Sequence, residues 1–227
     1  MKRILTLAIV LFTHHSIGQT TFQTYDLVVS DPAAVVAAID KYQASPTGQS
    51  NSASVILYAY VAAGDNLATH AINVVHPSPT DMDANLALNE SRDQAVFLAE
   101  IREVATVTSR AMGETLLIGG NPENITSANP AVMRYLMSVS DPAAYAQAFS
   151  SFLGQNPDIG VSYLSSMMAD GTNPETHVVL NYANSVGELF INQPQTLEGW
   201  AEYSAAVKDL RTIESTAVAT EVKRWVP

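Results

Sequence analysis

The stretch YDLVVSDPAAVVAAI at residues 25–39 recurs as YLMSVSDPAAYAQAF at residues 135–149, so the two share 8 of 15 residues at an offset of 110. A second pattern, G-x-N-x-x-T-H, ends at His70 and again at His177, in the same order along the chain. A repeat of about a hundred residues is the size of a domain and is far longer than the unit of a solenoid. The sequence therefore predicts two similar folded units that arose by internal duplication.

Each unit is predicted to have the element order β-α-β-β-α-β, from the alternation of apolar residues in strands and their helical spacing elsewhere. Asp31 and Asp141 are each followed by proline, which is typical of a helix N-cap and first helical position. In the first unit the pattern indicates strands at 22–29, 55–62, 70–75 and 111–118 and helices at 32–43 and 91–107. In the second unit it indicates strands at 132–139, 161–168, 177–182 and 217–225 and helices at 142–153 and 197–213.

This order is the ferredoxin-like plan, a four-stranded antiparallel sheet with two helices on one face. The other face of such a sheet needs a cover, and a second copy in the same chain can supply it. We therefore expect an α+β fold in which ferredoxin-like repeats at 19–120 and 132–227, joined by a linker at 121–131, form an intramolecular pseudo-dimeric α+β barrel. Because the tandem satisfies its own barrel interface, a monomer is predicted.

In element order and duplication the chain resembles the dimeric α+β barrel superfamily, which includes antibiotic-biosynthesis-type monooxygenases, NIPSNAP-like proteins and EthD-like proteins. The resemblance covers essentially all of the chain after residue 18. It implies pocket Asn, Trp, Tyr or His residues acting on an electron-rich aromatic substrate. No catalytic signature of the superfamily matches, so the resemblance assigns no catalytic residue.

The first 18 residues are predicted to be a secretory signal peptide. Lys2 and Arg3 precede an apolar run at 4–12, and Ser16-Ile17-Gly18 has the small-x-small pattern of a cleavage site. The run is shorter than the roughly 20 apolar residues of a membrane span. We expect a mature protein from Gln19, periplasmic or secreted, with no membrane insertion after cleavage. Since the chain has no cysteine, each half must fold by burial alone.

The charge of the chain argues against two classes of partner. Its formal net charge is −11, and the predicted signal peptide carries two of its 11 basic residues and none of its 22 acidic ones. Nucleic acids and anionic lipid surfaces are therefore not expected to bind.

The repeated G-x-N-x-x-T-H pattern is one candidate site, through His70 and His177 with Asn66 and Asn173. Histidines with a pKa near neutrality can act in proton transfer or bind a ligand. The same residues also suit a turn that leads into a strand, with each histidine bonded to a backbone carbonyl. Both interpretations stay open at this point.

A second candidate lies on the strands, where Tyr58, Tyr60, Tyr163 and Asn181 could face the barrel interior and orient a hydrophobic small molecule. Core packing is the alternative. No metal site is predicted, because the spacing lacks an H-x-H or H-E-x-x-H pattern and a strand would hold His70 and His76 roughly 20 Å apart. No cofactor is predicted either, although His70 or His177 could serve as an axial ligand if haem were bound.

These observations favour an exported small-molecule-binding or scaffold module of the bacterial envelope. The alternative is a cofactor-independent monooxygenase or isomerase that acts on a hydrophobic or aromatic small molecule. The fold does not choose between the two.

Overall fold

The computed structural model describes residues 20–171 and 173–227, and the predicted signal peptide lies outside them. The first half consists of β1 (Thr21–Val29), α1 (Pro32–Gln43), α2 (Pro46–Gln49), β2 (Ser54–Ala62), β3 (His70–His76), α3 (Pro79–Ala87), α4 (Arg92–Val104) and β4 (Ala105–Gly120). The second half consists of β5 (Ala131–Val139), α5 (Pro142–Gln155), β6 (Val161–Ala169), β7 (His177–Ala183), α6 (Val186–Ile191), α7 (Trp200–Val207) and β8 (Arg211–Trp225). Short 3₁₀ turns occupy Leu88–Glu90, Pro122–Asn124 and Pro194–Thr196.

The eight strands form one closed antiparallel barrel in the order β1-β3-β2-β8-β5-β7-β6-β4. Each half contributes four neighbouring strands, and the halves join where β2 pairs with β8 and β4 pairs with β6. β1 and β5 lie four places apart and run in the same direction, so the topology repeats after half a turn about the barrel axis. The predicted α+β fold, two ferredoxin-like repeats in a pseudo-dimeric barrel, is confirmed.

Helices cover the outer face of the barrel on both sides. Side chains alternate along a strand, so every second residue points outward into a helix-covered core. In the first half that core joins strands to α1 and α4 through Leu27, Val35, Ile39, Leu57, Ile72 and Ile101. In the second half it joins strands to α5 and α7 through Met137, Tyr145, Phe149, Phe152, Leu164, Val179, Tyr203 and Val207.

The repeated Ser-Asp-Pro motif starts the first helix of each half in the same way. The Asp31 carboxylate accepts a hydrogen bond from the Ala34 backbone N–H at 3.0 Å, and Asp141 accepts one from Ala144 at 3.0 Å. Both predicted N-caps are confirmed. A cap of this kind contributes about 1 kcal/mol to stability.

Two predicted helices are too long at their carboxyl ends. The helix predicted at 91–107 ends at Val104, and the one predicted at 197–213 ends at Val207. The residues beyond begin long strands, in which Ala105 pairs with Val29 and Arg211 pairs with Val139. Apolar residues there continue the helical spacing, but pairing with β1 and β5 overrides it, as tertiary context does for β-branched residues.

No helix in the described ranges is both long enough and apolar enough to cross a lipid bilayer.

Candidate functional site

The interior of the barrel is a cavity of about 580 Å³. Inward-facing residues from all eight strands line it, together with residues of the connection between the halves. Most of the wall is apolar and includes Phe22, Ile56, Ala71, Val75, Ile118, Val132, Leu136, Val161, Val178, Leu180 and Ala219. A concave, mainly apolar space of this size with a few polar groups is typical of a small-molecule site.

A buried ion pair stands at one end of this interior. Arg134 of β5 lies 3.2 Å from the Asp26 carboxylate of β1, and both side chains are at most 15% exposed. Tyr60 donates a hydrogen bond to the same carboxylate at 2.6 Å, and Asn66 donates another at 3.0 Å. The guanidinium carbon of Arg134 also lies 5.1 Å from the ring centroid of Tyr60. The two charges therefore compensate each other, and the two neutral donors further stabilise the carboxylate.

The environment of this cluster fixes its protonation. Burial, together with the neighbouring Asp26 carboxylate, raises the pKa of the Tyr60 hydroxyl far above its usual value. Burial opposes the charge of Arg134, but Tyr60 and Asp26 outweigh it and raise the pKa of Arg134. Burial also raises the pKa of Asp170, which follows β6 at the same end of the barrel. Tyr60 thus stays a hydrogen-bond donor and Arg134 stays a cation.

Polar groups also line the interior nearer the connection between the halves. The hydroxyls of Tyr58 and Tyr182 share a hydrogen bond of 2.5 Å. Arg224 holds the buried Glu221 carboxylate with two hydrogen bonds of 3.0 and 2.6 Å. Burial raises the pKa of Tyr58 and raises that of Tyr182 to about 12, so both phenols are neutral. The cavity thus offers hydroxyl donors beside a guanidinium–carboxylate pair.

These polar groups break the twofold repeat. At the offset of 110 residues, Asp26 corresponds to Leu136 and Arg134 corresponds to Thr24. At the offset of 107, Tyr182 corresponds to Val75. The backbone repeats, but the interior has a different chemistry on its two sides.

The structure brings some of the predicted site residues together. Tyr58, Tyr60 and Tyr163 all line the cavity, and the ring of Tyr163 meets that of Tyr182 edge-on with centroids 5.7 Å apart. Asn66 does not line it but contacts Asp26 from the β2–β3 turn. That turn has Gly64 at a φ of 58°, a conformation in which glycine is favoured.

The other candidates lie away from the cavity wall. His70 and His177 alternate with its lining residues and share the strand face of Ile72 and Val179 in the helix-covered cores. In each half the histidine Nδ1 pairs with the hydroxyl of the preceding threonine, at 2.9 and 2.8 Å.

Two predicted asparagines also lie outside the lining. The backbone N–H of Asn173 bonds to the carbonyl oxygen of Asp170, and Asn181 Oδ1 is buried with no partner among the described residues. Ligand binding by His70, His177, Asn173 and Asn181, and haem ligation by either histidine, stay predictions.

Sequence reasoning missed the charged residues of the interior, Asp26, Arg134, Glu221 and Arg224. A signal for the first two is present in the repeat itself. Asp26 lies inside the quoted stretch, where its counterpart is an apolar residue, and Arg134 comes just before the second copy. A charge at a strand position that the repeat makes apolar or neutral marks a buried polar site.

No protein-family model matches the chain, and no curated protein matches its sequence. Solved structures do match. A candidate monooxygenase from Fusobacterium nucleatum superposes with a TM-score of 0.60 at 13% identity, over 92% of this chain and 95% of its own. A candidate monooxygenase from Lactobacillus acidophilus gives 0.57 at 11% identity, over 92% and 96%. An anthrone oxidase-like protein gives 0.56 at 12% identity, over 92% and 93%.

These matches run over nearly the full length of each protein. This chain has the dimeric α+β barrel fold. At identities of 11 to 13% the likeness concerns the fold, and the predicted resemblance is confirmed at that level. In this dimeric α+β barrel one chain supplies both halves. Within residues 20–171 and 173–227, no three His, Asp or Glu side chains are grouped so that they could bind a metal ion.

We expect Asp26→Asn to lower the free energy of unfolding by about 3–5 kcal/mol, because it leaves the buried Arg134 charge uncompensated. The double variant Asp26→Leu/Arg134→Thr, which installs the residues of the equivalent positions, should recover most of this loss. Urea unfolding measures both. Glu100→Gln is the matched control, since it breaks the exposed Lys41–Glu100 pair and should cost less than about 1 kcal/mol. Equal losses at the two sites would contradict the role of the buried pair.

Stability should fall as the pH drops from 7 to 5. Burial lowers the pKa of His70, His76 and His177 in the folded chain. In the unfolded chain histidine has a pKa near 6.5, so the unfolded state binds more protons than the folded state as the pH drops. The stabilisation is complete above about pH 6.5 and is lost below it. Urea unfolding across this range checks the slope. His76→Leu should reduce it, because His76 is fully buried and neither of its ring nitrogens has a hydrogen-bond partner among the described residues. A flat profile would contradict the prediction.

Proposed function

We propose that the barrel binds a hydrophobic aromatic small molecule that carries a ring hydroxyl or carbonyl oxygen. The observation that carries this proposal is the cavity of about 580 Å³, in which an apolar wall surrounds the Tyr58–Tyr182 hydroxyl pair.

The wall suits a flat apolar ring. Aliphatic side chains from both halves face the space, and Tyr163 and Tyr182 already meet at 75°, in the edge-to-face geometry that aromatic rings prefer. A ligand ring could take part in the same kind of contact. Burial of its surface would supply most of the binding energy.

The tyrosine pair suits the oxygen atom of the ligand. When one hydroxyl donates to the other, the second keeps a free hydrogen. Because burial keeps the pKa of both phenols high, that hydrogen is retained at neutral pH and can be donated to a ligand oxygen. Arg224 lines the same cavity, where its guanidinium is bonded to the Glu221 carboxylate. A hydroxyl-bearing ring is thus favoured over a plain hydrocarbon.

A cofactor-independent monooxygenase is the second candidate. Two observations favour it: the fold is shared with proteins described as candidate monooxygenases and as anthrone oxidase-like, and Glu221 is a buried carboxylate in the cavity wall. In such a reaction a ring CH₂ beside a phenol would lose a proton to a base and react with O₂. The CH₂ becomes a carbonyl, and the second oxygen atom leaves as water. Glu221 is the residue we assign as proton acceptor.

We further propose that the protein works outside the cytoplasm of a bacterium, in the periplasm or the medium. The basic and apolar residues 1–12 and the small-x-small pattern at 16–18 support this. The binding proposal does not depend on the location.

Binding is tested with 1-naphthol and with naphthalene, its counterpart without oxygen, by calorimetric titration of the purified protein. We expect Tyr182→Phe to weaken 1-naphthol by about tenfold, since one hydrogen bond to a buried group is lost, and to leave naphthalene almost unchanged. Tyr25→Phe is the matched control, because Tyr25 lies on the outer face of the same barrel. If neither compound binds, or both variants behave alike, the proposal is wrong.

The two functions separate in an oxygen electrode. Anthrone should drive oxygen uptake above its spontaneous rate if the protein is an oxygenase, and Glu221→Gln should abolish the excess. Naphthol binding without excess uptake would support the binding module and exclude this oxygenase.

The location is tested by expressing the full chain in a bacterium and measuring its mass in the periplasmic and medium fractions. A mature protein that begins at Gln19 is expected. Recovery of the uncleaved chain in the cytoplasm alone would contradict export.

A further inference from the structure

We propose that the first half holds a second binding site, outside the barrel, for an amphiphilic anion such as a long-chain carboxylate. The site is a cavity of about 640 Å³ between the outer face of the sheet and the helices α1, α3 and α4. It shares no lining residue with the cavity inside the barrel, so it does not depend on the function proposed above.

The inner wall of this site, which we call the lateral cavity, is apolar. Its floor consists of the buried side chains Leu27, Ile39, Val55, Ile72 and Ile101. The buried Tyr42 adds to this floor, and the half-buried Tyr25, Val74, Phe97 and Leu98 extend the apolar surface towards solvent. The rings of Tyr42 and Phe97 lie 5.0 Å apart. Such a surface gains free energy when a hydrocarbon chain covers it.

The fold does not require this space. In the second half, three of the corresponding helix positions hold larger or more apolar residues, which pack in the core under the helices. At the offset of 110, Ile39 corresponds to Phe149 and Gln43 to Leu153, and at 106 Gln94 corresponds to Trp200. Phe152 stacks on Tyr203 there at 4.7 Å, and Trp200 adds a third ring at 5.6 Å from Tyr203. One copy of the duplicated unit is packed, and the other keeps room for a ligand.

The charges around the lateral cavity indicate an anion. The chain has twice as many acidic as basic residues, yet no Asp or Glu occurs among the described residues that line this cavity. Two arginines do line it, Arg102 and Arg110, and both are exposed, which places them at its opening. In the described part of the chain neither pairs with a carboxylate. Arg110 instead lies 6.0 Å from the ring centroid of Tyr25.

An apolar floor below two unpaired cations matches a molecule with an apolar body and one anionic end. A carboxylate can take two parallel hydrogen bonds from a guanidinium, the strongest arrangement open to it on a protein surface. A volume near 640 Å³ lies within the usual range for sites that enclose such a ligand. A cation with the same chain would meet the two arginines and be repelled.

The test is calorimetric titration of the full-length protein with dodecanoate and with dodecyltrimethylammonium, which has the same chain and the opposite charge. We expect dodecanoate to bind once per chain and the cation to bind more weakly by at least about tenfold. The double variant Arg102→Gln/Arg110→Gln should weaken dodecanoate by about tenfold or more, because it removes charge-assisted hydrogen bonds. Arg92→Gln is the matched control: Arg92 lies on the same helix and outside the cavity.

A second variant tests the site without changing charge. Ile39→Phe copies the residue of the second half and should fill the lateral cavity, so that dodecanoate binding is lost while the melting temperature holds or rises. Tyr182→Phe, inside the barrel, should leave dodecanoate binding unchanged. The proposal is overturned if dodecanoate does not bind, if it binds no better than the cation, if Arg92→Gln has the same effect as the double variant, or if Tyr182→Phe rather than Ile39→Phe removes binding. Binding of 1-naphthol is measured in a separate titration, so the results can contradict one proposed site without contradicting the other.

Discussion

Backbone pairing between the two halves is the constraint on which the rest of the structure depends. Each half alone would be a four-stranded sheet with two open edges and one bare face. Pairing of β2 with β8 and of β4 with β6 satisfies all four edges at once. The same closure turns the bare faces inward and creates the cavity. Without it, Asp26 and Arg134, which come from different halves, would have no shared interior and would each need solvent.

The two halves use the same scaffold in different ways. On the inside, polar residues from β1 and β5 meet at one end and the tyrosine pair stands nearer the other. On the outside, the second half packs aromatic rings under its helices, whereas the first half keeps space there. Arg211 reinforces this packing, since it donates a hydrogen bond to the Tyr145 hydroxyl at 3.0 Å. Backbone architecture is thus shared, and side-chain volume decides where ligands can fit.

Much of the fold could be predicted because local sequence patterns that occur twice determine it. The Asp-Pro helix start, the alternation of the strands and the G-x-N turn all act over a few residues, and duplication identifies them as structural. The ends of α4 and α7 could not be predicted in this way, because the following residues satisfy helical spacing and are recruited into strands only by their partners.

The candidate site could be predicted only in part. Tyr58, Tyr60 and Tyr163 face inward as simple alternation predicts. Alternation fails for Glu221 and Arg224, whose odd separation should put them on opposite faces of β8. The register shifts between them, where Leu57 pairs with Lys223 and Tyr58 with Glu221, and this β-bulge lets both line the interior. The Asp26–Arg134 pair joins residues 108 positions apart, a contact that no local pattern encodes.

Linking both halves in one chain has a consequence for how such an interior can change. In an assembly of two identical subunits with its symmetry axis along the barrel, every inward substitution appears twice, so one aspartate would bring a second and like charges would face each other across a narrow lumen. In a covalent tandem an inward substitution appears only once. Here each half mutates independently, and a lone carboxylate can meet a lone guanidinium. A fused chain can therefore have an asymmetric interior, which a homodimer of the same architecture cannot have.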